Sequence, residues 1–167
     1  MSSLLEDLRA YDGKAITLLS EAEARHSGAA GYLAELVALS THPDAHISDG
    51  ATWLLKASLE KGGRLPATET AALIANLDQI VEWPAQLHVC QMLEAISVPR
   101  AGAHRLADWL SGLLNHERPF LRAWSMSAFQ ALAAQHPAFA PRAKAALEAA
   151  ESDPAASVRA RARNLEK

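Results

Sequence analysis

The residues with chemistry to offer are seven histidines, one cysteine and four tryptophans spread over 167 positions. His42, His116 and His136 occur in "THPD", "NHER" and "QHPA", each where a turn precedes a helix. A metal or acid–base site would need two or three of these imidazoles within a few ångström, joined by Asp44 or Glu117. Cys90 has no CxxC partner for metal or redox chemistry and no second cysteine for an intramolecular disulfide. No glycine-rich loop leads into a helix, and neither HExxH nor GxSxG occurs. The expectation is a non-catalytic protein with no metal and no cofactor.

The elements that position these residues are helices. Apolar residues recur at three- and four-residue spacing, and β-branched residues are too scattered for strands. Leu33, Leu36, Val37 and Leu39 form one stripe and Trp53, Leu54, Ala57 and Leu59 the next, divided by "STHPDAHISDG". Pro43 and the polar residues there suit a turn and a helix start. The pattern returns three more times, predicting helix pairs over 29–61, 66–97, 101–136 and 138–167 behind an N-terminal helical cap over 1–28. The second helices align on Ile47, Leu87, Leu121 and Val158, at spacings of 40, 34 and 37 residues, and these four side chains are expected to be buried. In the second pair the alignment places Gln91 and Glu94 on the packing face, so Cys90 and Leu93 must pack instead. A period near 40 residues is the signature of a solenoid, in which each pair buries its apolar face only against its neighbours. The fold class is therefore all-α, an α-solenoid forming one domain.

Half of the residues are hydrophobic and the formal net charge is −3. A chain of this length buries roughly 70% of its unfolded surface. No run of 18 apolar residues exists, and the start, "MSSLLEDLRAYDG", has acids where a signal peptide needs a basic and then an apolar region. These features predict a soluble, cytoplasmic protein without membrane attachment. Residues 1–83 carry −6 and residues 84–167 carry +3, so an anionic partner would meet the second half. The resulting lengthwise dipole is screened within about 8 Å at physiological salt, and a monomer is expected.

The stretch "DPAASVRARARNL" resembles the second helix of a HEAT-like repeat, with the family's Asp at Asp153, its Val at Val158 and its Arg at Arg159. The likeness extends over most of the chain. It implies a ladder role for Asp153 and Arg159, in hydrogen bonds between turns and neighbouring helices. Arg122 repeats the Arg, His88 and Ser48 stand at the other two equivalent positions, and His42, Glu82 and His116 replace the Asp. Successive rungs lie about 10 Å apart, as packed helices do, which is too far for the turn histidines to share a metal. They are expected to serve turns and caps.

In HEAT-like arrays the second helices line the concave face. On that basis His88, Gln91, Arg118, Arg122, Trp124, Arg159 and Arg163 are the candidate binding residues, and the expected partner is another protein or a peptide. Trp53 and Trp109 sit on apolar stripes and read as core, whereas Trp83 and Trp124 read as surface aromatics. The alternative is a nucleic-acid-binding or DNA-repair protein, because the helix pairs also resemble HEAT-like alkylpurine DNA glycosylases in architecture. Those enzymes use a basic groove, whereas Asp44, Asp49, Glu82 and Glu94 fall on the equivalent helices here, so nucleic acid is the less favoured partner. A tetrapyrrole lyase module of HEAT-like fold is supported by fold analogy alone.

Overall fold

The computed structural model describes residues 2–167. Helix accounts for 73% of the chain, and among the described residues there are ten α-helices and no strand. They are α1 (Leu4–Ala10), α2 (Ile16–His26), α3 (Tyr32–Leu39), α4 (Ala45–Glu60), α5 (Ala67–Ala75), α6 (Trp83–Met92), α7 (Ala103–Leu113), α8 (Pro119–Gln135), α9 (Ala140–Ala150) and α10 (Ala156–Leu165).

Local chemistry sets the boundaries. Ser3 and Glu6 form a capping box at the start of α1. Asp44 accepts the amides of His46 and Ile47 and so opens α4. Pro84 and Pro119 occupy the first turns of α6 and α8, where a missing N–H costs nothing. Gly62 ends α4 in the left-handed region at φ 90°. Its amide reaches the Leu59 carbonyl and that of Gly63 reaches Ser58, which satisfies the last carbonyls of the helix.

The even-numbered helices α4, α6, α8 and α10 pack in chain order, each on the next; α3, α5 and α7 likewise touch in chain order, with α3 packed on α4 and α7 on α8. Helix α9 packs on α8 and α10 and makes little contact with α7. At the other end α1 and α2 cover α4. Gly50 permits that approach: a Cβ there would lie 2.9 Å from Leu8 Cδ2. Asp7 clasps α1 to α2 through Arg25 (3.0 Å) and His26 (2.6 Å). Burial acts to raise the pKa of Asp7, but hydrogen bonds from Ser2, His26 and Arg25 outweigh it and hold the group at about 2.

The register of the even row differs from the sequence alignment at one place. Ile47, Leu121 and Val158 are buried, but Leu87 is half-buried, and Ala85 takes the inward position with no exposure. Ile47, Ala85, Leu121 and Val158 each stand three residues after their N-cap, at spacings of 38, 36 and 37. Four residues further on, Ala51, Val89, Ser125 and Ala162 are all buried. These small side chains let neighbouring helices approach. Cys90 and Leu93 are buried as expected, and Trp53 and Trp109 pack partly buried against the core.

Candidate functional site

With the register corrected, the residue after each inward anchor does the same work four times. Ser48 Oγ donates to the Ser40 carbonyl (2.6 Å), Gln86 Nε2 to Ile80 (3.1 Å), Arg122 Nη1 to His116 (2.8 Å) and Arg159 Nη1 to Asp153 (2.6 Å). Each side chain thus ties its helix to the preceding turn. The turns close alike: His42 Nδ1 accepts the Asp44 amide, His116 Nδ1 the Arg118 amide and Asp153 Oδ1 the Ala155 amide. An imidazole that accepts at Nδ1 carries its proton at Nε2, so two histidines replace Asp as local acceptors. His136 bonds the Val98 carbonyl through Nε2 at 2.8 Å.

Asp153 does more than His42 or His116. Arg122 grips it with Nε and Nη2, both at 2.9 Å, and the two side chains are 17% and 11% exposed. This fork links α8 to the turn before α10, and the Arg122 hydrogen bond lowers the pKa of Asp153. The cross-repeat partner of Asp153 is thus Arg122, while Arg159 serves the Asp153 carbonyl. Asp153→Ala is expected to cost about 2 to 3 kcal/mol, the range for hydrogen bonds to a charged group whose partner is left half-buried. Urea unfolding checks it.

His88 lies between α4 and α6, largely buried, with Nδ1 2.9 Å from Thr52 Oγ1 and 3.5 Å from Asp49 Oδ1. Thr52 is fully buried and meets the same ring nitrogen as Asp49. A nucleophile relay instead needs one partner on each nitrogen. Burial, then Lys56, lowers His88 to about 4, against opposing contributions from Asp49 and Glu60. Burial raises Asp49 to about 6, with His46 opposing and Glu82 adding. The two have opposite linkage. His88 loses stability as pH falls from about 6.5 to 4, because only the unfolded chain takes up its proton; Asp49 loses stability as pH rises from about 4 to 6, because only the unfolded chain releases its own. The two contributions have opposite sign over pH 4 to 6 and therefore oppose each other. His88→Gln removes one arm, so between pH 4 and 6 its melting temperature is expected to fall relative to that of the parent as pH rises. Cys90 is buried, which pushes its thiol up and leaves it unreactive.

The other candidates divide by exposure. Gln91 is half-buried, and Trp124 is half-buried beneath Arg161, whose guanidinium lies 3.9 Å from its ring centroid. Arg163 is exposed on the last turn of α10. Arg118 is exposed and stacks on Trp83 at 4.1 Å, which joins the N-terminal ends of α6 and α8. Two positions from Trp83 and from Arg118 in sequence, Val81 is 69% and Phe120 62% exposed; with Trp83 at 37% they are three of the four large apolar side chains open to solvent among the described residues. Val81 and Phe120 were not among the sequence candidates. Their signal is positional: each stands within two residues of an N-cap and outside the inward register. Among the described residues no group of three His, Cys, Asp or Glu side chains could hold a metal ion, and no helix is long and apolar enough to cross a membrane. Comparisons with protein-family models, with curated proteins and with solved structures found no match.

Proposed function

We propose that the chain is a short HEAT-like α-solenoid acting as a protein-binding scaffold. Its recognition surface is the edge where α6 and α8 begin. The observation that carries this is the exposed stack of Arg118 on Trp83, with the exposed Val81 and Phe120 beside them at the starts of the same two helices. Trp and Arg are the residue types enriched among binding hot spots, and Phe is enriched at interface cores. The chain-order packing of α4, α6, α8 and α10, with its fourfold tie from helix to turn, supports the solenoid reading. The nucleic-acid alternative is weakened because Arg122 is held by Asp153 and Arg159 bonds the Asp153 carbonyl, which leaves Arg118, stacked on Trp83, and Arg163 as the exposed arginines among the candidates.

The test is affinity capture from the source cell with the parent chain and the Trp83→Ala/Phe120→Ala variant. Both side chains are surface-accessible, so the variant is expected to fold and to lose a specific protein that the parent retains. A captured species that is nucleic acid, released steeply by salt with a slope near −0.9 per phosphate contacted, would instead favour the alternative.

A further inference from the structure

Because α9 packs on α8 and α10 and barely on α7, a cleft of about 710 Å³ opens between α7 and α9. That volume is in the range of small-molecule sites, roughly 300 to 1,000 Å³. Met126 and Phe129 of α8 form its floor, and Ala145, Ala146 and Ala149 form one wall. Two arginines line it, and they are not alike. Arg122 spends Nε and both terminal nitrogens on Asp153, His116 and Glu117, so its role is structural.

Arg142 lies across the cleft with its guanidinium 5.5 Å from the Phe129 ring centroid. All its hydrogen bonds come from Nη2, which reaches the Ala107 carbonyl (3.3 Å), Asp108 (3.2 Å) and Ser111 (2.6 Å). Among the described residues Nε and Nη1 have no protein acceptor. Among the described residues the carboxylate paired with Arg142 is that of Asp108, which is 77% exposed and so binds weakly. Asn115 and His116 line the same cleft, and His116 carries its remaining proton at Nε2 because Nδ1 accepts the Arg118 amide. Arg142 Nε and Nη1 and the His116 Nε2–H are therefore donors without a fixed partner, set beside an apolar floor and wall; the Asn115 amide both donates and accepts, and the exposed Glu117 also lines the cleft.

We propose that this cleft binds a small amphiphilic carboxylate, with its head on Arg142 and its alkyl or aryl body along the alanine face of α9. A planar guanidinium fork matches a carboxylate in geometry as well as charge. The alanine wall leaves room for the body. The cleft shares no lining residue with the set of Val81, Trp83, Arg118 and Phe120 and does not depend on that reading.

The experiment is titration of the full chain with sodium octanoate, followed by backbone and arginine Nε–H chemical shifts, with 1-octanol and acetate as comparison ligands. Octanoate is expected to saturate and to shift Ser111, Asn115, Ala145, Ala149 and the Arg142 Nε–H. Loss of one charge-assisted pair should weaken binding about tenfold or more in Arg142→Ala. Because Arg142 also ties α9 to α7, a second variant is needed. Ala149→Phe, on an exposed helix position, fills the cleft and should weaken binding by as much. Non-saturating octanoate shifts would overturn the proposal. So would octanol or acetate binding as tightly as octanoate, or octanoate binding that Ala149→Phe leaves unchanged.

Discussion

Phe129→Ala is expected to lower stability by about 3 to 5 kcal/mol, the cost of truncating a large, fully buried aromatic. Phe129 is 1% exposed, lies in the middle of α8, and carries the Arg142 guanidinium over its ring. Truncation removes its contacts with the core and leaves a cavity beneath the α7–α9 cleft, where sparse contact between those helices limits collapse. For a chain of this length each kcal/mol moves the melting temperature by about 2 to 4 °C. Urea titration should show a lower midpoint at an unchanged slope. A loss below about 1 kcal/mol would mean that Phe129 is not part of the core.

The second large effect tests the register of the even helices. Leu121 is fully buried, and Leu121→Ala should cost about 2 to 5 kcal/mol. Leu87 was aligned with Leu121 by sequence but is half-buried, so Leu87→Ala should cost clearly less. Enlarging Ala85, which has no exposure, should be harmful, because overpacking a filled site costs about 1 to 3 kcal/mol. Equal costs for Leu87→Ala and Leu121→Ala would restore the sequence alignment.

That alignment failed for a physical reason. The helices themselves were legible, because their apolar period, their prolines and Asp44 mark both faces and ends. In the second pair, however, the inward anchor is an alanine, and a search for large aliphatic residues passes over Ala85 to Leu87. Two residues along an α-helix turn a side chain through about 200°, onto the opposite face. The same slip placed His88 where Gln86 does the tying, and so read a packed histidine between α4 and α6 as a candidate for the partner-facing surface.

Other parts of the candidate site were partly legible. Trp83 was read as a surface aromatic from its place beside Pro84, and it is 37% exposed. The stacking of Arg118 on it joins residues 35 positions apart, which no local pattern encodes. The α7–α9 cleft was hidden for a similar reason. The alanines of "PRAKAALEAA" mark a helix with little bulk to offer, but only the packing of α9 on α8 and α10 turns that into a gap.

The central claim is a linear array whose members hold one another through neighbouring contacts, and hydrogen exchange of Asp153→Ala tests it most directly. In an array, stability is the sum of each repeat's own contribution and its interfaces, so a broken link loosens what lies beyond it. Cutting the Arg122 fork should speed exchange in α10 and, to a smaller degree, α8 and α9, while amides of α1 to α4 keep their parent rates. Equal acceleration from α1 to α10 would contradict the account, because it would show one undivided cooperative unit rather than a chain of coupled repeats.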